Sequence, residues 1–217
     1  TLSGAATTTN DLTILNGTVT APANILAVGN NFANTGTFNH GNGTLKLTAA
    51  AGGKTIRTNN NNFYNLLFSG SGGWSFIETA ATTTNDLTIL AGSVTAPATL
   101  LSIGGDLSNA GTLDLGSNKV LFNGSVAGKT IDPGTANFYN LDFNGTGSWT
   151  ITTAATTTND LRIINGTLTA PATLLSIGGS YSNTGTFTAG TGKVIFNGSG
   201  GKTVTPGLSA FNNLDFN

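Results

Sequence analysis

Lys54-Thr55, Lys129-Thr130 and Lys202-Thr203 each follow a glycine, as at the end of a phosphate-binding loop. Such a loop needs another glycine five residues earlier, where backbone amides cradle the phosphate. Thr48, Asn123 and Phe196 stand there instead, and no helix is expected to follow and present its N-terminus. These lysines therefore read as outward strand residues. Asp114 and Asp132 are expected in one outward column about 5 Å apart, a spacing suited to Ca²⁺ or to acid–base work. Their counterparts are Asn39 and Arg57, then Thr188 and Thr205, so they read as exposed carboxylates in water. Asp11, Asp86 and Asp160 recur too far apart to act together, and Arg57 and Arg162 are too separated to serve one carboxylate cleft. His40, the single histidine, reads as solvated. Trp74 and Trp149 share parity with inward Phe76 and Ile151 and read as corner packing rather than sugar-stacking rings. The Asn-Gly-Ser/Thr triplets match glycosylation acceptors but read as turns. No catalytic residue, metal ligand or cofactor site is expected, and the chain is not read as an enzyme.

Composition sets further bounds. The chain has 217 residues, 31 of them glycine, with no cysteine or methionine; 8% are charged and the net charge is -1. Clustered cationic residues for nucleic-acid phosphates are missing. Without cysteine there is no disulfide framework or thiol nucleophile. No apolar run reaches the ~18 residues of a membrane helix, and none reads as a signal peptide. The first residue is Thr1, as expected of a processed product or an excerpt.

The elements that position these residues follow from self-similarity. Ala5 to Leu12 recurs at Ala80 to Leu87 and Ala154 to Leu161, and Ala96 to Gly105 is identical to Ala170 to Gly179. Three units of ~74 residues result, 1–75, 76–149 and 150–217, in one continuous domain spanning 1–217. A Ser or Thr before an apolar residue recurs at Thr1, Thr18, Thr37, Thr55, Ser75, Ser93, Thr112, Thr130, Thr150, Thr167, Thr186 and Thr203. Interleaved are apolar pairs two apart, such as Leu12/Ile14, Leu101/Ile103 and Val194/Phe196, the period of strands with one face inward. Asn16-Gly17, Asn123-Gly124 and Asn165-Gly166 mark turns. The pattern predicts an all-β, single-stranded parallel β-solenoid of about twelve coils of ~18 residues, with two strands per coil and no helix. It also predicts that the Ser/Thr series lines up along one side of the rod.

Leu101-Ser102-Ile103-Gly104-Gly105-Asp106-Leu107-Ser108-Asn109-Ala110-Gly111-Thr112 resembles the Thr/Asn/Gly-rich repeats of large bacterial surface proteins. Gly192 to Gly198 and Phe138 to Phe143 do likewise. The resemblance is to β-helix proteins of the adhesin and filamentous-haemagglutinin type. It implies a right-handed parallel β-helix in an extracellular or cell-surface bacterial setting, and it carries over no catalytic residue and no ligand.

The function expected is that of a non-enzymatic structural rod, a surface fibre or filament built by end-to-end or tandem stacking. The chain opens at Thr1-Leu2-Ser3 in mid-coil and stops after Phe216-Asn217, which leaves matching open coils. The expected partner is therefore another copy or a longer array, with no nucleic acid and no membrane span. The alternative is an adhesin that binds a glycan, a host surface or ice through an outward Thr/Asn face. Its candidate residues are the hydroxyl ladder Thr150, Thr152, Thr167, Thr169, Thr186, Thr188, Thr203 and Thr205. Asn39, Arg57, Ile77, Asp114 and Asp132 are expected to interrupt the wider column.

Overall fold

The computed structural model describes all 217 residues. Every regular element is a β-strand, most of three or four residues, and every strand pair is parallel. Successive partners lie ~20 residues apart in sequence, and the chain makes about eleven turns. The parallel solenoid is thus as expected; the coils are longer and fewer than the expected twelve of ~18.

Each turn has three faces, not two strands. On the first face Ala6–Thr8, Ile25–Val28, Thr44–Leu47, Asn65–Phe68, Leu87–Ile89, Leu107–Asn109 and Lys129–Asp132 stack in order. The end of Asn140–Ile151, the end of Leu161–Thr169 and Thr186–Thr188 extend this face. The second face runs from Leu12–Ile14 through Phe32–Asn34, Lys54–Arg57, Gly73–Phe76 and Ser93–Thr95 to Thr112–Asp114. Ala155–Thr157, Leu174–Ile177, Lys193–Phe196 and Asn213–Phe216 continue it. The third face begins at Thr18–Thr20 and Thr37–Asn39. It goes on through Ala80–Thr83, Leu100–Ile103, Lys119–Phe122 and the starts of the two long strands, then Tyr181–Asn183 and Val204–Thr205. The long strands Asn140–Ile151 and Leu161–Thr169 turn a corner without a break, joining faces three and one into a 15-stranded sheet.

The first repeat holds ten strands, and a single-residue bridge from Phe63 to Thr83 adds an eleventh wall segment. Phe138 bridges to Thr157 in the second repeat. Eleven segments on a three-sided coil leave each repeat one face out of phase with the last. Leu12, Leu87 and Leu161 are equivalent by sequence, yet they stand on the second, first and third faces.

The same phase disperses the Ser/Thr series. Thr18 lies beside Thr37, Thr55 beside Ser75, Ser93 beside Thr112, Thr130 beside Thr150, and Thr167 beside Thr186. Thr112 and Thr130 are on separate sheets, so the expected single vertical column is corrected to short runs on three faces. The reason is geometric: about three six-to-seven-residue segments close a turn, and the ~18-residue series drifts across that period.

Inside, 45 buried apolar residues form one cluster along the rod. Alternation puts Leu101 and Ile103, Val120 and Phe122, and Leu141 and Phe143 inward. Trp74 and Trp149 are fully buried at corners, as expected, with ring nitrogens donating to the carbonyls of Asn30 and Gly105 at 3.4 and 3.2 Å. One corner is a glycine stack. A Cβ on Gly124 would lie 1.8 Å from the carbonyl oxygen of Gly104, and one on Gly145 2.1 Å from that of Gly124. Only glycine lets neighbouring coils approach so closely there. One coil per repeat is longer than the others, and a buried Asn ties it down. Asn34, Asn109 and Asn183 donate their Nδ2 to the carbonyls of Thr58, Pro133 and Pro206 at 2.9, 2.8 and 3.0 Å.

Candidate functional site

The outward residues of the first face form the most regular surface of the C-terminal half. Alternation buries Trp149, Leu168 and Phe187 and turns their neighbours outward. Thr130, Thr150, Thr169 and Thr188 stand one above another on consecutive coils, with Ser148, Thr167 and Thr186 in a parallel file. Coil spacing of about 4.8 Å and i,i+2 spacing of about 6.7 Å make this a two-dimensional hydroxyl lattice. Of the predicted ladder, Thr150, Thr167, Thr169, Thr186 and Thr188 belong to it. Thr152 instead turns its hydroxyl onto the carbonyl of Ile131 at 3.2 Å. Thr203 and Thr205 lie on the third face, Thr205 beside Ser182. Of the expected interruptions, Arg57 and Asp114 are on the second face and Asn39 on the third. Only Asp132 shares the lattice face, and it stands in another file, beside Ser108.

The lattice ends below at a charged corner. Asp86 Oδ1 accepts the amide of Asp106 at 2.8 Å, and Asp106 Oδ1 accepts the amide and hydroxyl of Thr130 at 2.6 and 2.9 Å. Lys129 Nζ lies 3.2 Å from both carboxylates. Burial raises the Asp106 pKa, but the Thr130 donors and Lys129 outweigh it and hold the carboxyl below its ordinary value. Burial likewise lowers Lys129, and the two aspartates more than reverse that, so the ammonium is held above its ordinary value. At the equivalent corners a neutral residue stands in the place of Asp106. Asn31 accepts from Thr55 at 2.8 Å above Asp11, and Ser180 accepts from Thr203 at 3.2 Å above Asp160. Lys129 is thus placed where two carboxylates stack, and Asp11, Asp86 and Asp160 serve as inter-coil clasps on separate faces.

A second ionic group was hidden by the drifting period. Asp142 is buried on the outward side of the third face, between Lys119 Nζ at 3.2 Å and Arg162, whose Nε donates at 2.8 Å. The hydrogen bonding of the guanidinium to Asp142 is the largest cause of the raised Arg162 pKa. Only the register Asp142↔Arg162, twenty positions apart, reveals this contact. The proposed Asp114–Asp132 column is corrected: the two lie on different faces. Each caps its own turn, Asp114 accepting from the Gly116 amide at 3.0 Å and Asp132 from the Gly134 amide at 3.1 Å. Glu78 accepts the amides of Thr58 and Asn59 at 2.8 and 2.6 Å. His40 Nδ1 accepts the amide of Asn42 at 3.0 Å, and the centroids of the His40 and Tyr64 rings are 5.7 Å apart.

No three His, Cys, Asp or Glu side chains converge as a metal site. The surface recesses are open and mostly polar; one near 320 Å³ is lined by Thr82, Thr84, Asn85, Asn123 and Ser125. No helix is long and apolar enough to cross a membrane. Each of the five salt bridges joins side chains of different coils, an arrangement suited to holding the rod together. No protein-family model, curated protein or solved structure matches this chain.

Proposed function

We propose that this chain is a non-enzymatic structural rod, part of an extracellular bacterial surface fibre or filament of the adhesin and filamentous-haemagglutinin type. The observation that carries the reading is the single apolar core running through about eleven parallel turns. Each turn hydrogen-bonds to the turns above and below, so length grows by repetition at about 4.8 Å per turn. Many polar side chains join neighbouring coils or cap turns. Few basic residues invite trypsin-like cleavage, and neither Cys nor Met is available to oxidants. Pulling single molecules end to end tests this. A cooperative, high-force unfolding event with strong protease resistance is expected; extension at low force with rapid digestion would overturn it.

The Thr lattice favours a second reading, an adhesive face for glycan or ice. Its test is thermal hysteresis and glycan binding of the intact chain beside a Thr169→Lys variant. Activity lost on that single change supports an adhesive lattice; no activity in either protein removes the reading.

A further inference from the structure

Six Asn-Gly pairs punctuate the chain, at Asn16, Asn42, Asn123, Asn144, Asn165 and Asn197, and every one of these asparagines is exposed. Asparagine is a thermolabile residue, because the backbone nitrogen that follows it can attack its side-chain carboxamide. Glycine in that next place has no side chain to hinder the attack. The structure separates the six pairs. At Asn42 the Gly43 amide is committed to the carbonyl of His40 at 3.0 Å. At Asn165 the Gly166 amide lies 2.8 Å from Asn165 Oδ1, so the nitrogen is held against the carboxamide it would attack. The other Asn-Gly pairs lack this contact. It recurs only at Asn24, where the Ile25 amide lies 2.8 Å from Oδ1, but there the following residue is β-branched and crowds the approach. Asn165 alone combines the contact with an unhindered neighbour. Gly166 is also fixed by the fold: its φ is +75°, and a Cβ on it would lie 2.3 Å from the carbonyl oxygen of Gly145 and 2.6 Å from that of Gly147.

We infer that Asn165 is a site of spontaneous covalent modification, cyclising through the Gly166 nitrogen and opening to a carboxylate. The Gly166 nitrogen bonds to Asn165 Cγ, the Cγ–Nδ2 bond breaks, and the amide proton leaves with Nδ2 as ammonia. Water then opens the cyclic imide, at the side-chain carbonyl to give aspartate or at the main-chain carbonyl to give isoaspartate. Nothing is oxidised or reduced, and solvent water is the only co-reactant. Asn165 stands beside Asn144 in the neighbouring coil, and Thr167 follows it into the hydroxyl lattice. The product therefore adds a negative charge at the edge of that lattice. Isoaspartate also lengthens the main chain by one methylene at a corner where Gly166 has no spare room, which moves Thr167 off its register with Ser148 and Thr186. The inference stands apart from the rod and adhesion readings, since it needs only this local geometry.

The test follows the whole chain in time. The folded protein is held at pH 8 and 37 °C, then unfolded, digested and mapped by mass spectrometry, beside a sample kept in urea throughout. In the folded chain, conversion at Asn165 is expected first, about tenfold faster than at Asn42 or Asn24, with ammonia released in step. In urea the six Asn-Gly pairs should convert at similar rates, because each is followed by Ser or Thr and the geometry that sets Asn165 apart is gone. An Asn165→Gln variant should lose the early ammonia and leave the slower sites unchanged. Any folded-state order in which Asn165 is not first, including no conversion at all, would overturn the inference.

Discussion

Where Leu67 stands beside Thr88 at the junction of the first two repeats, the next junction places Asp142 beside Arg162, with Lys119 in place of Thr44. The inward residues flanking these positions are the same, Leu66 and Phe68 against Leu141 and Phe143, all fully buried. An apolar-neutral pair and an ionic triad thus occupy one backbone site. Inward positions are held by packing, whereas outward positions vary; where like charges stack at about 4.8 Å and would repel, as at Asp86 and Asp106, a lysine bridges them. The Asp86–Asp106–Lys129 corner repeats the lesson against its counterparts, where neutral Asn31 and Ser180 replace Asp106.

The largest break in this comparison comes from the part that all repeats share. Gly124→Val should cost about 3 kcal/mol or more, because its side chain enters the carbonyl of Gly104. Gly201→Ala, with open space around it, should stay within about 0.5 kcal/mol. Chemical denaturation of both variants checks the contrast.

Arg162→Ala should cost about 2 kcal/mol, since buried Asp142 then keeps only Lys119. Installing the first junction's pair, Asp142→Leu with Arg162→Thr, should recover most of that loss. A double-mutant cycle measures the coupling.

The charged corner predicts a smaller, pH-dependent effect. Asp106 is held below its ordinary pKa, so its contribution is full above the unfolded carboxyl value and is lost as pH falls through the folded one. Lys129 is held above its ordinary pKa, so its contribution is full below the unfolded value and fades as pH rises through the folded one. Asp106→Asn should flatten the acid limb of stability against pH by roughly 0.5–1 kcal/mol, discounted for solvent screening. Urea midpoints between pH 2 and pH 7 read it. Smallest is Thr169→Val on the hydroxyl lattice, expected within about 0.5 kcal/mol in the same denaturation assay.

Much of the wall was legible in advance. The two-residue alternation at Leu101/Ile103 and Val194/Phe196, the turns, the parity of Trp74 and Trp149, and the parallel stacking all follow from period and composition. The number of faces was not, for local reasons. Phe63 and Phe138 contribute one bridging residue each where other segments contribute three or four, so the sequence period undercounts them. Asn140–Ile151 runs on through the corner it turns, and its register against Leu161–Thr169 shifts there, between Phe143 and Ser148. One coil per repeat is longer, as between Leu107 and Ile131. Each of these shifts register, and register alone brings Asp142 to Arg162, Asp106 to Lys129, and Thr150 to Thr169 and Thr188. The lattice was therefore half visible: its Thr-x-Thr strands could be read, but which of them were neighbours could not.

Register is also what the whole account depends on, and oxidative disulfide formation in the cysteine-free chain measures it, because the two Cα atoms must lie within about 7 Å. Thr130→Cys/Thr150→Cys should close a disulfide, and Thr112→Cys/Thr130→Cys should not, since the latter pair lies on separate sheets. Closure of the second pair with failure of the first would contradict the three-faced coil and the one-face phase shift between repeats.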